Sequence, residues 1–412
     1  MTRCLPGRAA AVGGALFAVL ALPGSAEGAV ADRCASGDPG PSVHCGRAPS
    51  AAFDLAGRLW VAFEQGGHVW VSRADGDLHE FAEPVRVNDT PETVEVNGEN
   101  RPKIAFGASG EVYVSWTRKL AGGFNGEIRF SRSVDGGRGF EAARTINDDG
   151  LVTGHRFETL FVDERDNVYL TWLDKRDLVA ATAAGEGYAG AAVYYTVSTD
   201  RGASFVPNRR VADHSCECCR IAAAATDDGD VALFFRSVFG DNVRDHGFAV
   251  VGPDRVREPV RRATVDGWRI DACPHHGPAM SRAGGGRFHL AWFTGGDERK
   301  GIYYGRYDLP AGSLENVRSV ASSASAGHPS LAGSADRPVL AWKEFDGERT
   351  AVKAIVSGDG GAHWSPPRTL AATSGASDHP LLVEHDRRVF LSWHTADEGL
   401  RIVEVDRPGG RP

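Results

Sequence analysis

The stretch "VYVSW", residues 112–116, alternates apolar and smaller side chains and ends on a tryptophan. Six others follow its plan: "LWVAF" (59–63), "VYLTW" (168–172), "VALFF" (231–235), "FHLAW" (288–292), "PVLAW" (338–342) and "VFLSW" (389–393). Each reads as a strand buried on both faces. Their aromatic ends fall at 63, 116, 172, 235, 292, 342 and 393, so the units recur every 50 to 63 residues. A shorter apolar run precedes each, such as "KIAFG" (103–107), and a third strand follows, such as "EIRFSRS" (127–133). That period, with several short strands per unit, marks a β-propeller. The expected fold is all-β with seven blades, or six if the first and last units merge.

The repeats span residues 47–406, so the 412-residue chain reads as one propeller domain with a short tail, 407–412. The last unit ends at "RIVEVD" (401–406), one strand short. The segment 31–46 is expected to supply the missing outer strand and close the ring, with Cys34 and Cys45 bridged to staple it. Before it, Arg3 and Arg8 precede an apolar run and then small residues, the pattern of a signal peptide over 1–30. The expectation is a secreted or periplasmic protein. No other segment approaches membrane-spanning length. The 54 acidic and 46 basic residues are interspersed, giving −8 without a basic stripe, which argues against a nucleic-acid partner.

Three units carry a tighter motif between their third and fourth strands: "SVDGGRGF" (133–140), "STDRGASF" (198–205) and "SGDGGAHW" (357–364). Ser133, Asp135, Gly137 and Phe140 correspond to Ser198, Asp200, Gly202 and Phe205, and to Ser357, Asp359, Gly361 and Trp364. This pattern resembles the Asp-box, or bacterial neuraminidase repeat, of the sialidase superfamily. The resemblance implies a propeller in which the aspartate braces a hairpin and the aromatic tucks beneath it. It also implies, as an alternative activity, an exo-sialidase-like glycoside hydrolase acting on acidic sugars. Such enzymes use a tyrosine nucleophile with an assisting glutamate, an acid/base aspartate and three arginines on the substrate carboxylate. Here no tyrosine follows Tyr307, an early Arg-Ile-Pro motif is missing, and seven units replace six. Carboxylates that a hydrolase would draw on are Glu95, Glu99, Glu158, Asp163, Asp174, Asp271 and Glu344.

Alignment of the units on their aromatic ends places Arg47, Arg101, Arg156, Arg220, His276, His328 and His379 at the start of the innermost strands. In a propeller these starts converge on one mouth of the central channel. Three readings follow. The residues line a wet channel; or the arginines bind a small anionic ligand or glycan through their guanidinium forks; or the three histidines hold a transition metal, copper or zinc. A non-catalytic module that binds glycans or proteins through its loops is a further alternative, with the Ala/Gly-rich stretch 174–190 covering one face.

"HSCECCR" (214–220) leads into the fourth innermost strand and "DACPHH" (271–276) into the fifth. In an exported chain Cys216, Cys218, Cys219 and Cys273 favour disulfides, most simply Cys273 with Cys216 or Cys218. Metal ligation by these cysteines with His155, His214 and His275 is the alternative, although Cys-x-Cys-Cys lacks the paired spacing of zinc knuckles.

Overall fold

The computed structural model describes Cys34 and residues 40–405. The segment 1–30, read from the sequence as a signal peptide, most of the segment 31–39 and the tail 406–412 lie outside the described residues. Seven antiparallel sheets follow one another along the chain, six of four strands and the last of three. Their first strands are Arg47–Phe53, Lys103–Phe106, His155–Val162, Ala222–Ala225, Ala279–Gly284, Gly327–Ser334 and Leu381–His385. Each touches the next, and the seventh touches the first, so the seven strands surround one axis. The fold is the seven-bladed propeller expected from the repeats. One helix, Arg176–Ala184, interrupts it between the second and third strands of blade 3. No helix among the described residues is long and apolar enough to cross a membrane.

The recurring aromatics explain why the sheets stack. Phe63, Trp116, Trp172, Phe235, Trp292, Trp342 and Trp393 lie within the second strands of their blades at no more than 1% exposure. Burying an indole leaves one N–H to satisfy, and a carboxylate accepts it in several blades. Trp116 donates to Glu92 at 2.8 Å, Trp172 to Asp174 at 2.7 Å and Trp292 to Asp266 at 2.8 Å. Apolar clusters run between blades as well as within them. Phe234 and Phe248 of blade 4 pack with Phe288 and Trp292 of blade 5, and Val61 and Phe63 of blade 1 pack with Phe390 and Leu400 of blade 7.

The expected closing strand falls chiefly on residues outside the described ones. The described part, 40–46, forms turns. Val43 joins the cluster shared by blades 1 and 7, and His394 bonds the His44 carbonyl at 2.9 Å. Cys34 and Cys45 are bridged, as expected.

The three Ser-x-Asp-x-Gly hairpins share one hydrogen-bond pattern. Ser133, Ser198 and Ser357 each donate to the aspartate two residues on, at 2.7, 2.6 and 2.9 Å. Each hydroxyl also accepts the glycine N–H, at 2.9, 2.7 and 2.8 Å. The aspartates accept further N–H groups from Gly139, Ser204 and His363. Phe205 meets Phe130 edge-on at 5.0 Å, and Trp364 meets Tyr304 at 4.8 Å.

Gly361 has φ of 86°, and a Cβ there would overlap the Tyr304 hydroxyl of the preceding blade. Replacing Gly361 by alanine is therefore expected to cost about 2–4 kcal/mol, from left-handed strain plus overpacking. Gly360→Ala, with φ of 69° and only the Ala335 carbonyl at 3.5 Å, should carry the strain alone, about 1–2 kcal/mol. Denaturant midpoints of the two variants measure the difference. Equal losses would mean that the contact with Tyr304 does not matter.

Candidate functional site

The seven residues at the strand starts divide by chemistry once their partners are known. Every arginine is held by a carboxylate. Arg47 turns outward, its side chain 64% exposed, onto Glu64 at 2.5 Å. Arg101 is buried against Asp378 at 3.1 Å and donates to the Pro49 carbonyl at 2.9 Å. Arg156 grips both oxygens of Glu95 and lies over the Phe157 ring. Arg220 donates to Glu99 at 2.7 Å and to the Pro329 carbonyl at 2.5 Å.

The three histidines gather instead around Glu99, from the loop before blade 2. His328 lies with its Nδ1 3.0 Å from Glu99 Oε1, and the Gly277 N–H donates to Oε2 at 2.9 Å. Burial pushes the Glu99 carboxyl up, but the Arg220 guanidinium and the His328 hydrogen bond overcome this and hold it well below its ordinary range. An ionised carboxylate only accepts, so His328 carries its proton on Nδ1 and leaves Nε2 free. His328 has φ of 55°, a left-handed conformation uncommon outside glycine.

The imidazoles are stacked. His379 lies on His328 with centroids 3.4 Å apart and planes 11° apart. His276 follows at 4.5 Å, and Phe293 caps the column 4.1 Å beyond it. Two glycines make room for the column. A Cβ on Gly98 would overlap the His379 ring, and one on Gly327 would stand 2.5 Å from His276 Cε1. The Nδ1 atoms of both His276 and His379 are buried without a hydrogen-bond partner. Burial, reinforced by the charge that His328 carries when protonated, pulls His276 down to about 3 and His379 to about 2. Both rings are thus neutral near pH 7 and keep a lone pair. Donor atoms of Glu99, His328 and His379 lie within 4.8 Å of one another.

Beside this column the central channel opens into a cavity of 260 Å³, lined by Glu99, Arg101, Lys103 and Arg220 among apolar residues. Lys103 donates to the Arg101 carbonyl at 2.5 Å, and burial lowers its ammonium to about 8. Glu158 is fully buried, accepts from Thr117 at 2.7 Å and is raised by burial, with Oε1 unpartnered. None of the eight tyrosines lines the cavity. The other carboxylates named from the sequence have separate tasks. Asp163 braces a turn through the Asn167 amide, Asp174 binds Trp172 and Arg176, Glu344 binds Trp342 and Lys353, and Asp271 stands exposed near Asn242.

The cysteines depart from the expected brace. Cys273 is exposed and unbridged, because residues 271–275 run mostly through solvent. Cys216, Cys218 and Cys219 are buried together instead, with Sγ of Cys216 3.7 Å from Cys218 and 3.9 Å from Cys219. His214 and His275 are both exposed, and the His214 ring lies 4.6 Å from Tyr188. His155 is buried off the axis with both nitrogens engaged, by the Gly126 carbonyl and by Asp149, each at 2.9 Å. Sequence reasoning left Glu99 unranked among seven carboxylates, although it lies two residues before Arg101. It missed Lys103, Asp378 and Phe293 altogether.

The low values of His276 and His379 have a consequence for metal-free protein. Their contribution to stability is present above the ordinary histidine value of 6.5 and is lost as pH falls toward their folded values, because only the unfolded chain takes up the protons. Each adds a slope of up to about 1.4 kcal/mol per pH unit. Urea unfolding of chelator-treated protein from pH 7 to 5 should show falling stability, with a shallower fall in His379→Gln. An unchanged slope in that variant would contradict a neutral buried His379.

No protein-family model matches the chain, and no curated protein matches it. Among solved structures it is similar to a polysaccharide lyase of the PL25 ulvan lyase family, with a TM-score of 0.57 and 10% identity over 87% of this chain and 93% of that one. A PL25 ulvan lyase bound to -[GlcA(1-4)Rha3S]- gives 0.56 at 10% identity over the same shares. The polysaccharide lyase Uly1 gives 0.51 at 10% identity, over 89% of this chain and 91% of that one. At this identity the likeness establishes a shared propeller fold.

Proposed function

We propose that the axial mouth is a metal centre in an exported propeller, with His328 and His379 as ligands of one transition-metal ion, copper or zinc, Glu99 at their side and His276 stacked behind His328. The observation that carries this reading is the division of partners: all four arginines are paired with carboxylates, while two of the three histidines keep buried nitrogens without any partner. An anion that engaged these guanidiniums would have to break an existing ion pair. A cation takes lone pairs that nothing else uses, and neutral imidazole suits copper or zinc. Glu99 fits the supporting part, since a ligating histidine commonly gives its other N–H to a carboxylate. An ion bound there would act as a Lewis acid beside the cavity.

A second reading, action on an acidic glycan, is favoured by the cavity at Glu99 and Lys103 and by the fold shared with the ulvan lyases. It lacks a tyrosine at the axis for sialidase chemistry. Release of sialic acid from a chromogenic substrate, or of unsaturated ends from uronate polysaccharides, tests it directly. Metal-loaded protein that leaves both untouched would remove this reading.

For the metal centre, the exported protein is expected to bind close to one zinc or copper(II) ion per chain at the mouth. Copper(II) should show nitrogen hyperfine coupling. His276→Ala/His328→Ala/His379→Ala should abolish that signal, and Glu99→Gln should weaken affinity about 10- to 100-fold by removing the carboxylate that orients His328. Protein that folds normally yet takes up neither metal, or keeps the nitrogen-coupled signal in the triple variant, would overturn the assignment.

A further inference from the structure

The turn that carries Cys216, Cys218 and Cys219 joins the outer strand Arg209–Ser215 of blade 3 to the inner strand Ala222–Ala225 of blade 4. We infer that these three thiols form a second, separate metal site, which takes one copper(I) ion in trigonal thiolate coordination. Nothing in this inference depends on the axial histidines.

Four observations support it. The first is shape. Two edges of the sulfur triangle measure 3.7 and 3.9 Å, and all three sulfurs lie within 4.8 Å of one another. A trigonal ion about 2.3 Å from three thiolates holds them about 4 Å apart, so the turn already sets the sulfurs near the required spacing. The second is number. A disulfide between any two would leave the third as an odd thiol in a site where each cysteine is at most 3% exposed.

The third is the missing fourth ligand. Structural zinc takes four protein ligands. Here His214 is exposed and contacts Ala189 and Tyr188, Glu217 is paired with Lys175 at 2.5 Å, and Cys273 is exposed. Three soft sulfurs in a dry setting select copper(I). The fourth is charge. Three thiolates and one copper(I) carry two negative charges, and two guanidiniums stand by. Arg244 Nη1 donates to Cys216 Sγ at 3.6 Å, and Arg236 is buried nearby, donating to the Arg244 carbonyl at 2.8 Å.

Binding is ligand exchange: three S–H protons leave, three S–Cu bonds form, and the copper stays in the +1 state. The blade 3 excursion after Asp174 packs on the same turn. Lys175 reaches Glu217, and Ala189 meets His214, so the excursion is tied to the turn that carries the thiols.

Anaerobic titration of the full chain with copper(I), held by a competing chelator, tests the site. One equivalent is expected to bind in His276→Ala/His328→Ala/His379→Ala and in Cys273→Ser, and to weaken by at least about 100-fold in Cys216→Ser. X-ray absorption of copper(I)-loaded wild type should show three sulfur neighbours and no nitrogen, a readout that stands even if Cys216→Ser fails to fold. Nitrogen in that first shell, full copper(I) affinity in folded Cys216→Ser, or a disulfide between two of the three in native protein that binds no copper(I) would each overturn the proposal. Loss of the axial signal with retention of this one would separate the two sites.

Discussion

The buried Glu99 carboxylate at the axis ties the entry of blade 2 to three other blades. An ion removed from water needs several donors with good geometry, or its burial is prohibitive. Glu99 obtains them from three other blades: the Arg220 guanidinium before blade 4, the Gly277 N–H before blade 5 and the His328 ring in blade 6. The strand starts of these blades therefore have to arrive in one register around the channel. Apolar packing between sheets tolerates small slides, whereas a charge with three short contacts does not.

The same requirement explains what the arginines do. A ring of cations at a channel mouth suggests a trap for anions. Here the pairing is internal and long-range: Arg101 meets Asp378 across 277 residues, and Arg220 meets Glu99 across 121. With the guanidiniums neutralised by architecture, the remaining chemistry passes to uncharged imidazoles. Their column exists because Gly98 and Gly327 present no side chain to the rings.

This division also marks how far the sequence could be read. The blades were legible because each buried second strand carries one large aromatic at a regular interval. The braced hairpins were legible because serine, aspartate and glycine act within a few residues. Alignment brought the seven mouth residues to the right strand starts. Most of their partners were not legible, since the carboxylates of Arg101, Arg156 and Arg220 lie outside the blades of those arginines and no local spacing encodes them. Cys273 shows the complementary failure. Its position one blade from "CECC" suggested a bridge, but burial decides which thiols meet, and Cys273 lies in a loop that stays in solvent while the other three are buried together.

The mouth and the cysteine turn stand on two sides of Arg236. Its guanidinium, fully buried over the Trp268 ring, donates to the carbonyls of Phe293 and His276 and also to that of Arg244, whose own side chain reaches Cys216. A positive charge fixed between the two places favours anionic sulfur on one side. On the other it opposes protonation of His276, one of the causes that lower that ring. One arginine thus lowers the Cys216 thiol and helps keep an imidazole neutral, the states in which each would bind a metal. The two places differ in hardness and access: nitrogen donors beside an open channel, and sulfur donors under a packed turn. A ring of near-identical blades can hold both because ligand type is set by the loops that start each inner strand, while the strands themselves stay the same.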